Sequence, residues 1–112
     1  MPICDVSTNL PSEKIPEDLE VRLTHLIAAQ LNKPLEKIVV EVTPDTRLVR
    51  AGSSEPCARV KIFSVAVFDD EVRNKEHSAV FLDFFNKELG LPDDRITLLL
   101  LPLDRKGVGS RI

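Results

Sequence analysis

An excess of charge of one sign is the first thing this chain lacks. Its net charge is −3, and acidic and basic residues are mixed along its length, so it offers no electrostatic footprint for a phosphate backbone or an anionic bilayer. No nucleic acid partner and no membrane insertion are expected. Long apolar runs are missing too. The longest, ITLLLLPL at 96–103, is too short to cross a bilayer, and Asp5 with the polar stretch Ser7-Thr8-Asn9 interrupts the N-terminus before the apolar core of a leader could form. A cytoplasmic protein is the expectation.

Cysteine is scarce. Cys4 and Cys57 lie 53 positions apart with no CxxC and no histidine at metal-ligand spacing, and are read as reduced, buried, apolar side chains. His25 and His77 sit on helical patterns without a ligand cluster and are read as surface or capping residues. Neither GxGxxG nor GxxxxGK[ST] occurs, so nucleotide binding has no support. The GSSEP run at 52–56 reads as a turn, and Arg47 and Arg50 beside it as solvated. Metal: none; no organic cofactor is implied.

What is there fits one domain over residues 1–112. Helical periodicity runs through PEDLEVRLTHLIAAQLN, with Leu19, Leu23, Leu26, Ile27 and Leu31 on one face. It returns in NKEHSAVFLDFFNKELG, with Val80 or Phe81, Phe84, Phe85 and Leu89. A shift of 58 positions superposes Leu31 on Leu89, Asn32 on Gly90, Pro34 on Pro92, Lys37 on Arg95 and Ile38 on Ile96. Asn and Gly both close helices in the left-handed conformation, and the following proline forbids continuation. Each half is also flanked by strand-like runs, ICDV and IVVEV in the first, ARVKIFSVAV and ITLLLL in the second.

The pattern is strand, helix, strand, twice, in pseudo-repeats of about 2–45 and 58–103 joined by a loop at PDTRLVRAGSSEP. Right-handed crossovers make this an α+β fold, a four-stranded sheet with two helices on one face. The strands IVVEV and ITLLLL look apolar on both sides, yet no third helix remains to cover the second face. Other subunits are expected to cover it.

The start, MPICDV, poses a chemical question. Removal of Met1 would leave Pro2 with a free secondary amine. An α-amino group titrates at about 7.7–8.0, and apolar burial or a nearby cation lowers that value, so such an amine can serve as a base near neutral pH.

MP at the start, TNLP at 8–11, NKP at 32–34, GSSEPCA at 52–58, SVAV at 64–67 and NKEHSAVFLDFFNKELGLPDDRI at 74–96 together resemble the macrophage migration inhibitory factor family of the tautomerase superfamily, in particular its D-dopachrome tautomerase branch. The resemblance runs to about Leu103. It implies a homotrimer of two-βαβ subunits around a central channel, each with a cofactor-independent site that tautomerises or decarboxylates dopachrome or aryl-pyruvate-like carboxylates. It further implies that Pro2 is the catalytic base and that Lys33 holds the carboxylate of a small-molecule substrate. Ser64 and Val65 would lie at the pocket floor, where Val65 offers its backbone N–H.

Thr97 and Leu99 replace an aromatic and an amide position of the family, and DRKGVGSRI at 104–112 stops short of the usual final hairpin, which leaves substrate preference and pocket closure open. Two alternatives accompany the enzyme reading. One is a cytokine-like protein with a cell-surface receptor as partner, secreted without a signal peptide, and the other is a trimer without turnover.

Overall fold

The computed structural model describes residues 1–111. Its regular elements are β1 (Ile3–Thr8), α1 (Leu19–Leu31), β2 (Val39–Thr43), β3 (Ala58–Ser64), α2 (Glu71–Leu89) and β4 (Ile96–Pro102). β1 pairs parallel with β2, and β3 parallel with β4, as two right-handed strand–helix–strand units require. The units meet through an antiparallel β1–β3 pairing, which gives a mixed sheet of order β2-β1-β3-β4. This is the fold expected from the sequence.

The helices end alike because their closing residues are alike. Asn32 and Gly90 both adopt the left-handed conformation, at φ 53° and 67°. Pro34 and Pro92 then start short 3-10 turns, Leu35–Lys37 and Asp93–Arg95, that lead into β2 and β4. α2 begins earlier than its apolar periodicity suggests, because the Asp70 carboxylate caps it by accepting from the backbone N–H of Val72 and Arg73.

Both helices bury an i, i+4 stripe: Leu19, Leu23, Ile27 and Leu31 from α1, and His77, Phe81, Phe85 and Leu89 from α2. These meet Cys4, Val6, Val60 and Ile62, the alternate residues of the two central strands, in one core. Full burial of each large side chain contributes about 1.5–3 kcal/mol. His77 corrects the sequence reading. It is buried within the apolar stripe, and its Nδ1 pairs with Gln30 Nε2 at 2.9 Å across the two helices. A histidine one turn before Phe81 can occupy a core position only because this amide meets its polar nitrogen.

The opposite sheet face is uncovered within the chain, but it is less apolar than the strand sequences suggest. The register lines up three rows across it: Val39, Ile3, Phe63 and Leu101; then Glu41, Asp5, Lys61 and Leu99; then Thr43, Ser7, Arg59 and Thr97. Only the first row is apolar throughout. The sequence alone could not show this, because which residues share a row depends on register.

Two further readings change. β3 stops at Ser64, before the end of the run ARVKIFSVAV, because Ala66 takes φ 62° and turns the chain out of the sheet. Arg50 is not solvated: its guanidinium donates to the Ile96 carbonyl at 2.6 Å. Arg95 returns the contact, donating to the carbonyls of Arg50, Ser53, Glu55 and Pro56 and so binding the 44–57 connection to the foot of β4.

Candidate active site

The first residues of the central strand lie at the centre of the candidate site. The Pro2 carbonyl accepts from the Val39 N–H at 3.1 Å, and the antiparallel register Ile3↔Phe63 sets Pro2 across from Ser64. The Pro2 ring is fully buried. With Met1 attached, the free amine belongs to Met1, which is 39% exposed at the mouth of a cleft of about 760 Å³. Pro2 itself does not line that cleft.

Lys33 comes to the cleft because Asn32 reverses the chain at the end of α1. Its backbone N–H bonds back to Ala28, and its ammonium donates to the Val65 carbonyl at 3.1 Å. A lysine placed only to complement the helix dipole would bond the last carbonyls of its own helix. This one reaches another element and keeps two donors for a ligand. The segment that carries Val65 is held from behind, where buried Phe68 meets His77 edge-to-face at 5.9 Å between ring centroids. Burial holds the His77 imidazole below its ordinary range, with Arg73 adding to the effect and Glu76 opposing it.

Ser64 is wholly buried, and among the described residues its hydroxyl makes no hydrogen bond, which is uncommon for a buried polar group. The Ser64 carbonyl accepts from Leu103 N–H at 2.9 Å, which pins the segment after β4 beside Val65. Asp104 then caps a 3-10 turn, Arg105–Gly107, by accepting from the Lys106 N–H.

That turn brings in residues the sequence reading missed. The cleft is lined by Met1, Lys33, Lys37, Val65, Arg105 and Lys106 among others, and among the described residues no Asp or Glu side chain lines it. Burial holds the terminal α-amine below its ordinary value, and the positive charges of Lys33, Arg105 and Lys37 lower it further. Lys37 could have been noticed in the sequence, since it stands four residues after Lys33 and ends the 3-10 turn. Arg105 and Lys106 carried no comparable signal, because only the Leu103–Ser64 contact makes them neighbours of the N-terminus.

Of the expected site residues, Lys33 and Val65 thus line the cleft, while Pro2 and Ser64 lie buried and paired in register beside it. Thr97 and Leu99 do not join them, for both lie on the open sheet face. Thr97 is five residues before Pro102, the rung opposite Ser64, or roughly 16 Å along the strand. The cysteines are both free and buried, and burial with the nearby Asp5 carboxylate pushes the Cys4 thiol up to about 12, which removes it as a nucleophile. Among the described residues no group of three or more His, Cys, Asp or Glu side chains is placed to hold a metal.

Comparison with known proteins agrees with this geometry. The family model for macrophage migration inhibitory factor matches residues 1–111. D-dopachrome decarboxylase of Gallus gallus is 39% identical over 110 residues, covering 98% of this chain and 93% of the relative. The MIF-like protein mif-2 of Caenorhabditis elegans is 40% identical over 111 residues, covering 97% and 90%. The structure of the macrophage migration inhibitory factor from Trichinella spiralis superposes with a TM-score of 0.90 at 28% identity, covering 97% of this chain and 96% of that one. With a family model matched over residues 1–111 and relatives 39–40% identical over almost the whole chain, this protein belongs to the macrophage migration inhibitory factor family.

Proposed function

We propose that the chain is a cofactor-independent tautomerase and decarboxylase of the D-dopachrome type, acting on enolisable carboxylates such as dopachrome or aryl-pyruvates. The observation that carries this reading is the convergence of the chain's amino end, the Lys33 ammonium and Val65 at one cationic cleft. Once Met1 is removed, the Pro2 nitrogen becomes a secondary amine in surroundings that disfavour its protonated form. It takes the proton beside the substrate carbonyl, and the conjugate acid returns it at the other end of the enol system. Lys33 holds the carboxylate with its remaining donors, and the Val65 N–H is the nearby group able to meet a developing oxyanion. On a decarboxylating path the carbon–carboxylate electron pair passes into the conjugated ring and the amine manages the proton.

The same reading includes a homotrimer. Thr97 lies at the far end and Leu99 midway along the open face of their own sheet, so a neighbouring subunit is what would bring them to a cleft. Family membership supports this assembly, and the uncovered sheet face leaves room for it.

The test compares turnover of D-dopachrome and of the phenylpyruvate enol by two preparations, one with Met1 removed and one with it retained, each verified by mass. Retention keeps the Pro2 nitrogen a tertiary amide with no basic lone pair, so turnover is expected to fall by about 10²–10⁴-fold with melting unchanged. Equal rates overturn the proline base. No turnover from the processed protein overturns the enzyme reading and favours the receptor-binding alternative.

A further inference from the structure

The cleft holds more positive charge than one carboxylate needs. Lys33 suffices for a single carboxylate, yet Lys37, Arg105 and Lys106 line the same cleft, and among the described residues none of the three is in a salt bridge. Cations that converge on one cleft repel one another and favour a ligand that supplies negative charge. Two of them belong to a segment whose position is fixed: Leu103 is bonded to Ser64, the Asp104 carboxylate caps the turn, and Val108 N–H closes it on the Arg105 carbonyl at 3.1 Å. Asp104, the nearest acid in sequence, spends one carboxylate oxygen on that cap.

We propose that Arg105 and Lys106, with Lys37, form a second anion-binding position in the cleft that Lys33 also lines, so that the preferred substrates are dianions, an enolisable 2-oxo acid that carries a second carboxylate at its far end. This rests on the enzyme reading above and specifies its substrate class. The planar guanidinium of Arg105 suits a carboxylate held by two parallel hydrogen bonds, and Lys106 and Lys37 add point charges. The cleft, at about 760 Å³, is large enough for an aromatic ring between the two anionic groups. The influence of Arg105 and Lys37 on the terminal amine fits the same geometry, since it requires their charges to act at the cleft mouth.

The experiment compares the processed protein with an Arg105→Gln/Lys106→Gln variant on phenylpyruvate and 4-carboxyphenylpyruvate, with calorimetric titration of benzoate and terephthalate as a readout that needs no turnover. Both side chains are exposed and the capping Asp104 is untouched, so folding should be preserved. The wild type should favour each dianion over its monoanion, and the variant should lower that preference by about tenfold, with the larger part in KM. The acid limb of kcat/KM should also move to higher pH, because removing positive charge raises the pKa of the amine. Arg105→Lys should recover part of the preference. An unchanged dianion-to-monoanion ratio in both assays overturns the proposal. Selective terephthalate binding without turnover of either substrate supports the second anion position and overturns the enzyme reading, so the two failures are distinguishable.

Discussion

The two halves of the molecule have one scaffold and use its corresponding end for opposite purposes. After α1 the chain runs Asn32, Lys33, Pro34 and a 3-10 turn ending at Lys37; after α2 it runs Gly90, Leu91, Pro92 and a 3-10 turn ending at Arg95. The residues that determine backbone path agree between halves, and those that determine surface chemistry do not. Leu91 is 4% exposed and belongs to the core, while its counterpart Lys33 reaches across to Val65. Arg95 grips the carbonyls of the connecting loop, while its counterpart Lys37 faces an open cleft. The strand registers make Pro2 the counterpart of Ala58 and Met1 that of Cys57. In the second half that corner is filled by the protein's own loop, and in the first half it is left for a ligand. A repeat with nearly the same backbone can therefore locate a site by the positions where it departs from its twin.

Exchanging side chains between the halves should break this division most visibly at positions 33 and 91. Leu91→Lys buries an ammonium without a partner and should cost about 3 kcal/mol or more, read as a lower denaturation midpoint, whereas Lys33→Leu should leave stability nearly unchanged. Comparable losses in both variants would show that the halves are not energetically distinct.

A second contrast is sharper because both residues are basic. Arg95→Ala removes hydrogen bonds to four backbone carbonyls and should cost about 2–3 kcal/mol of unfolding free energy. Lys37→Ala should stay within about 0.5 kcal/mol. On ligand binding the order reverses: Lys33→Ala should weaken binding of a monocarboxylate by about 1.5–3 kcal/mol in a titration, with the melting temperature unmoved. Carboxylate affinity that survives Lys33→Ala would return this lysine to the role of a helix-end charge.

The smallest effect concerns the joint between the halves. His77 is held below its ordinary pKa, so the unfolded chain binds its proton more readily than the folded one. Its contribution to stability is therefore complete above the unfolded pKa and declines as the pH falls through about 6.5, levelling off below the folded value. His77→Gln should flatten that part of the stability profile in equilibrium denaturation at several pH values. A slope as steep as that of the wild type would assign the titration to another group.

Much of the fold was legible from the sequence because its determinants are local. The helix closures at Asn32 and Gly90, the prolines that follow and the i, i+4 stripes depend on backbone preferences and periodicity within a few residues. The place of Lys33, one residue beyond a helix closure, was legible for the same reason, but its role at a site was implied only by the family resemblance. His77 was not, because its partner Gln30 is on the other helix and no spacing in the sequence announces the pairing. The open sheet face was misjudged in composition because neighbours across strands depend on register, which strand sequences do not display.

The sequence by itself determined two strand–helix–strand units, where each helix stops, which faces are apolar, and the presence of a proline behind the first methionine. Those follow from forces acting over short stretches of chain. Only the tertiary structure decided that β1 and β3 run antiparallel, so that Pro2 meets Ser64, and that the segment after β4 returns to place Arg105 and Lys106 beside the N-terminus. Contacts between residues about a hundred positions apart are selected by the packing of the whole sheet, whose energy is shared among many side chains and is written in no single stretch of the chain.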